Sequence, residues 1–160
     1  MGGGYYGGFG GTYGAAAGDA VFASSPKQFF KNIANRTDKD RNGIFDVVAH
    51  GGSSIILVEH GEKVIEAGPR IAAKLITARS DYKKGQPIRL LSCNTGDSAS
   101  GFAQNLANKL NVVVEAPTKT VWAYPSGRVV VAGRRKDNPQ LPDYNNRGTF
   151  KKFYPGGKKK

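Results

Sequence analysis

Apolar residues in this chain fall into short runs broken by glycine, proline and charge, and the runs follow two different spacings. Ile44 to Ala49, Ile88 to Ser92 and Val112 to Ala116 are nearly continuous, the pattern of strands buried on both faces. Between them, Ile71, Leu75 and Ile76 within Arg70 to Ser80, and Phe102, Leu106 and Leu110, recur at helical spacing, with Asp97 or Ser98 placed to cap the second helix. Ser25-Pro26 reads as the cap and first-turn proline of a further short helix whose Phe29, Phe30 and Ile33 share a face. Two hairpins are predicted: Ile55 to Glu59 with Lys63 to Glu66 around His60-Gly61, and Val121 to Ala123 with Arg128 to Ala132 around Tyr124-Pro125-Ser126-Gly127. Strands alternating with helices imply right-handed βαβ units and a parallel sheet. From Gly133 onward no period stands out.

Two of the strands end in unusual chemistry. Phe45-Asp46-Val47-Val48-Ala49 closes in His50-Gly51, and Ile88-Arg89-Leu90-Leu91-Ser92 closes in Cys93-Asn94-Thr95-Gly96. Laid side by side as parallel strands, they bring His50 and the single cysteine, Cys93, together at the carboxyl edge where α/β sheets place their sites. A thiol beside a histidine is a nucleophile beside its base. A helix starting just after Cys93 is expected to add its dipole, and the backbone amides of Gly51, Cys93 and Asn94 are the candidate oxyanion donors. Gly51, Gly52 and Gly96 would let backbone approach a substrate closely. His60-Gly61, inside a hairpin, reads as turn chemistry alone.

Composition narrows the setting. One globular domain with loose ends fits 160 residues of which 39% are hydrophobic. Residues 1–18, glycine with scattered aromatics, read as a flexible linker; residues 19–135 carry the domain; residues 136–160 read as a basic, partly irregular extension. No apolar run reaches the roughly 18 residues of a membrane span, and the N-terminus lacks the pattern of a signal peptide. The lone cysteine excludes an internal disulfide and suits a reducing compartment. Asp38-Lys39-Asp40-Arg41-Asn42-Gly43 opens like a calcium loop, but Ala49 stands where the bidentate glutamate belongs, so it reads as a turn. No metal and no cofactor is required. The net charge of +12 crowds toward the C-terminus, at Arg134, Arg135, Lys136, Arg147, Lys151, Lys152 and Lys158 to Lys160, and suits an anionic partner.

Apolar strands closing in His50-Gly51 and then in Ser92-Cys93 resemble the caspase-like cysteine peptidases, the group that includes caspases, gingipains, legumains and the self-processing domains of large bacterial toxins. The resemblance covers residues 44 to about 123. It implies an α/β caspase-like sandwich, a central mainly parallel sheet flanked by helices with β-hairpin additions, a His50–Cys93 dyad, and Gly51 in the oxyanion hole. Thr118 and Trp122, beyond the third strand, are the candidate walls of a substrate pocket; Glu115 or Asp46 would orient His50. The self-processing toxins are activated by inositol hexakisphosphate, for which Lys151, Lys152 and Lys158 to Lys160 would be the available cations.

The stretches Asn42 to Gly51, Leu90 to Gly96 and Phe102 to Ala107 also resemble C-terminal toxin domains of bacterial polymorphic toxins, including Rhs-repeat proteins. That resemblance implies a secreted effector, delivered by a bacterial secretion system to act on a protein substrate in a target-cell cytosol, with a cognate immunity protein as partner. Two readings compete with a cysteine endopeptidase: a nucleic-acid-targeting toxin whose basic C-terminal region holds phosphates, and a non-catalytic interaction module.

Overall fold

The three nearly continuous apolar runs lie at the centre of one sheet. In the computed structural model, which describes residues 19–21, 32–33, 43–60, 63–80, 82–124, 128–139 and 141–157, β1 (Asp19–Val21), β2 (Phe45–Val48), β6 (Ile88–Leu91), β7 (Val114–Pro117) and β11 (Phe150–Phe153) pair in the order β1-β2-β6-β7-β11. The first four are parallel and β11 is antiparallel to β7. Phe45, Val47, Val48, Ile88, Leu90, Leu91, Val114 and Ala116 are all buried, which is why these runs lack the alternation of half-exposed strands.

The connection from β2 to β6 contains α1 (Pro69–Thr77), with proline in its first turn, and that from β6 to β7 contains α2 (Phe102–Leu110). The chain steps in one direction across β2, β6 and β7, so right-handed crossovers put both helices on one face. They pack against each other accordingly.

The helix-flanked caspase-like sandwich expected from the sequence is therefore not formed. Strand outweighs helix, and it is divided among three sheets. The hairpins are not additions to the central sheet. β3 (His50–Gly51), β4 (Ile56–His60) and β5 (Lys63–Ala67) make one antiparallel sheet, and β8 (Thr120–Ala123), β9 (Val129–Arg134) and β10 (Pro142–Arg147) make another. Flanking a sheet on both faces needs a strand order that doubles back, and after β7 the chain instead spends its β-branched residues on β8 and β9.

Residues 142–153, in the stretch read as an irregular basic extension, supply β10 and β11. The glycine-rich start, the helix opening at Ser25-Pro26, the turn Asp38 to Asn42 and Lys158 to Lys160 lie outside the described residues. Residues 32 and 33 are helical: Ile33 is buried, and Asn32 Nδ2 donates to the Ala123 carbonyl at 2.8 Å. Among the described residues no helix is long and apolar enough to cross a membrane.

One row of the central sheet is ionic. Asp46 pairs in register with Arg89, Arg89 with Glu115, and Glu115 with Lys152. Arg89 Nε and Nη2 donate to the two Asp46 carboxylate oxygens at 2.8 and 3.2 Å, with the Asp46 side chain 0% and the Arg89 side chain 18% exposed. Removing Arg89 takes both of these donors from a buried carboxylate. Arg89→Leu is thus expected to lower the unfolding free energy by about 3–5 kcal/mol in a urea titration, and Glu115→Gln, at a half-buried position, by under about 1 kcal/mol; equal losses would mean that the Asp46 pair is no special anchor.

Candidate active site

The β2–β6 register, Phe45↔Ile88 through Val48↔Leu91, carries the chain into the site. It persists past the assigned strands, since Ala49 N–H donates to the Leu91 carbonyl at 3.5 Å. Beyond that bond the strands part: His50 enters β3 opposite Leu57, and Cys93 enters a turn closed by Thr95 N–H on the Ser92 carbonyl at 3.4 Å, so both candidates lie just past the carboxyl ends of β2 and β6. Parallel partners share a face, so Asp46/Arg89 and Val48/Leu91 form one column of the ladder that leads to these ends. The two segments meet directly: a Cβ on Gly51 would sit 2.8 Å from Ser92 Cβ, 2.9 Å from the Cys93 carbonyl oxygen and 2.9 Å from Thr95 Cγ2. The residue after the histidine thus presses on the backbone that carries the cysteine, and only glycine fits.

Gly51 is also oriented. Gly52 N–H donates to the Ile55 carbonyl at 2.9 Å, closing a tight turn over Ser53 and Ser54. Opposed residues of an antiparallel pair alternate between bonded and unbonded, so the Gly51↔Ile56 pair is unbonded and the Gly51 N–H faces away from β4.

The turn after Cys93 is held differently from expectation. Thr95 donates to the Ser92 carbonyl through both its Oγ1, at 2.8 Å, and its N–H, at 3.4 Å, and Asn94 takes the left-handed conformation with φ 63°. Asn94 N–H donates to the Lys119 carbonyl at 3.0 Å and Gly96 N–H to the Pro117 carbonyl at 2.9 Å. Asn94 is therefore withdrawn as an oxyanion donor, its N–H being engaged within the protein. Gly96 serves β7 and not a substrate, because a Cβ there would lie 2.6 Å from the Ala116 carbonyl oxygen. Gly52 alone of the three glycines faces open space.

The helix contribution is likewise corrected. α2 begins at Phe102, with Gly101 as its cap and no side-chain cap bond. Asp97 accepts from Ser53 Oγ at 2.7 Å, and Ser98 Oγ accepts from Ser100 N–H at 3.4 Å, so neither caps the helix. The first helical amides, of Phe102 and Ala103, donate to the carbonyls of Ser53 and Thr95 at 2.9 and 3.1 Å. The positive end of the dipole is directed at those carbonyls and not at the thiol.

What the sulfur receives instead is a backbone donor: Val121 N–H lies 3.3 Å from Cys93 Sγ. Such a donor serves an anionic sulfur better than a neutral one. Because a main-chain amide carries no residue signature, no sequence pattern announces it. Cys93 and His50 are only 4% and 6% exposed, so the site is closed. Next to them Ser92 is fully buried, and its Oγ has no hydrogen-bond partner among the described residues.

The remaining candidates are placed elsewhere. Asp46 is committed to Arg89, and four residues of strand put it about 13 Å from His50, too far to orient it. Glu115, opposite Arg89 and Lys152, lies in that same distant row. Trp122 is 1% exposed in a separate cluster with Val130 and Ala132, its Nε1 donating to the Ala132 carbonyl at 2.9 Å, so it is not open to a substrate. Thr118 clasps Thr149, donating through its N–H at 2.9 Å and accepting at Oγ1 from Thr149 N–H at 3.0 Å. Lys151 and Lys152 border an open groove of about 420 Å³ with Gln104, Asn108 and Gly156, on the far side of β7 from β6.

Residues 19–131 match the model of a family described as a domain of unknown function, DUF8616, and the chain belongs to that family. No curated protein and no solved structure matches the chain.

Two substitutions probe the contact between the strand ends. Gly51→Ala drives a methyl into Ser92 and the Cys93 carbonyl and is expected to cost about 1–3 kcal/mol, read as a lowered midpoint of chemical unfolding. Ser92→Ala removes a buried hydroxyl without a partner and is expected to stabilise by about 1 kcal/mol or more, read as a raised melting temperature. A loss of stability instead would show that the hydroxyl has a partner in solution.

Proposed function

We propose that this domain is a cysteine endopeptidase that acts as a bacterial effector in the cytosol of a target cell. The observation that supports the reading is the close contact of Gly51, next to His50, with Ser92 and the Cys93 carbonyl at the carboxyl ends of β2 and β6. In the reaction, Cys93 gives its proton to His50 and Sγ bonds to a peptide carbonyl carbon. The C–N bond then breaks as His50 passes the proton to the departing amine, and water hydrolyses the thioester. Gly51 N–H, turned away from β4, is the donor available to the developing oxyanion. The closure of the site favours an enzyme held inactive until a substrate or activator parts Val121 N–H from the sulfur. A cognate immunity protein would be the natural partner of such an effector.

Growth arrest on expression in bacterial and eukaryotic hosts tests this. Cys93→Ala and His50→Ala, each verified to be folded by circular dichroism and thermal melting, are expected to abolish arrest, and lysates from arrested cells to show new protein fragments that are missing with either variant. Arrest that survives both substitutions in folded protein would make the pair structural.

A further inference from the structure

The central sheet ends at β11, and the pairing of β11 with β7 decides which of its main-chain groups face outward. Thr118 N–H donates to the Thr149 carbonyl at 2.9 Å, which makes Thr149↔Thr118 a bonded pair, and bonded and unbonded pairs alternate along an antiparallel ladder. In the register Phe150↔Pro117 through Phe153↔Val114, Lys151 and Phe153 therefore turn N–H and C=O toward β7, whereas Phe150 and Lys152 turn theirs to the open edge. Proline at position 117 obeys this phase, since an unbonded position needs no donor toward β11. Among the described residues the Phe150 carbonyl receives only a 3.4 Å contact from Thr149 Oγ1, and the other three edge groups receive none. β10, by contrast, is broken by a register shift between Asp143 and Arg147 and offers no regular edge.

Alongside this edge runs the open groove of about 420 Å³, with Ala99, Gln104 and Asn108 on one wall and Lys151 and Lys152 on the other. A crossover helix between parallel strands returns the chain against their direction, and β11 is antiparallel to β7. Helix α2 and the edge strand thus run the same way, and the groove lies lengthwise between them. Its walls are fastened: Gln104 Nε2 donates to the Tyr154 carbonyl at 2.7 Å, and Asn108 Oδ1 accepts from Gly156 N–H at 2.8 Å. These bonds hold the chain leaving β11 against α2, so little ordering remains to be done when a ligand enters. No carboxylate lines the groove, and both lysines are exposed. Among the described residues neither lysine is in an ion pair, not even Lys152 with Glu115 across the ladder. Lys151 Nζ lies 5.4 Å from the centre of the Phe153 ring, which keeps its charge beside the strand.

We propose that the β11 edge takes up an extended acidic segment of a partner protein as a sixth strand of the central sheet. The main chain of that segment bonds Phe150 and Lys152, and its carboxylates meet Lys151 and Lys152. Two features select this partner. The edge carbonyls need N–H donors at strand spacing, which a polypeptide carries and a polyphosphate does not. A second copy of this chain laid edge to edge would set lysine against lysine, the device by which edge strands repel their like, whereas carboxylates opposite the lysines turn that repulsion into attraction. The proposal does not depend on the thiol reading, because β11 lies two strands away from β6, beyond β7.

Fluorescence anisotropy of the full chain with the labelled peptide Thr-Val-Asp-Glu-Val-Thr tests it. Saturable binding is expected, and Lys151→Gln with Lys152→Gln, two exposed substitutions, should weaken it about tenfold at low salt, in the range of two lost ion pairs. Lys83→Gln with Lys84→Gln removes the same charge from another surface and should change affinity less than about threefold. The same peptide N-methylated at its four central amides keeps both carboxylates but cannot extend a sheet, and is expected to bind about tenfold or more weaker. A peptide with lysines in place of both acids should bind only the chain carrying Lys151→Glu and Lys152→Glu. Amide hydrogen exchange reads the geometry directly: in the free chain Phe150 and Lys152 should exchange faster than Lys151 and Phe153, and saturating peptide should slow the first two about tenfold or more. No binding by the wild-type chain, equal losses from the two lysine pairs, equal affinity for the methylated peptide, or sedimentation of the free chain as a dimer that Lys151→Gln with Lys152→Gln tightens would overturn the proposal.

Discussion

The alignment of β2 with β6 governs the rest of the molecule. Both strands are buried on both faces, and a shift of one residue would exchange every side chain between the faces. Apolar residues tolerate that exchange poorly but not selectively, since Val47, Val48, Leu90 and Leu91 are interchangeable hydrophobes of similar size. The discriminating contact is Asp46 with Arg89, bidentate and enclosed, which any other alignment would break. It sits one end of the strand pair away from His50 and Cys93, and it reaches them only through the rigidity of the ladder between. Positioning by a distant ion pair leaves the site itself free of charged neighbours from the same strands.

Around the strand ends, main-chain groups do most of the work. The carbonyls of Pro117 and Lys119 hold the turn after Cys93, the carbonyls of Ser53 and Thr95 take up the first amides of α2, and the Val121 amide meets the sulfur. Apart from the Thr95–Ala103 bond, these contacts join segments more than twenty residues apart in sequence. They make the environment of Cys93 a property of the assembled fold, so a chemically plausible pair of side chains ends up inside a sealed shell of backbone bonds.

That division explains what could be read beforehand. β2, β6 and β7 were legible because double-sided burial leaves continuous apolar runs, and α1 and the body of α2 because one-sided burial imposes helical spacing. β1, three residues long, and β10, with only Pro142 and Asp143 even partly sheltered, leave no such trace. β11 hides behind its two lysines, which face outward on an edge strand where charge deters further pairing. The number of layers was misjudged for a related reason: alternation of strand and helix is local, whereas the face on which a helix lands follows from strand order. Among the candidate residues, His50, Gly51 and Cys93 stand out in the sequence as abrupt ends of apolar runs. The engaged Asn94 amide, the remote start of α2 and the burial of Trp122 were not, since each depends on which distant carbonyl or ring arrives next to it.

The strand that finishes the central sheet, β11, comes from residues 150–153, while its partner β7 lies at residues 114–117. Between them the chain builds the whole of the β8–β9–β10 sheet. A ribosome therefore exposes β7 with an open edge through a long stretch of elongation, and the anchoring Phe153 is supplied only after that sheet. During that interval the nascent domain offers a row of unsatisfied amides and carbonyls to any extended segment nearby, which makes timing of synthesis, as much as final stability, a determinant of whether each copy matures alone or pairs with its neighbour on the same polysome.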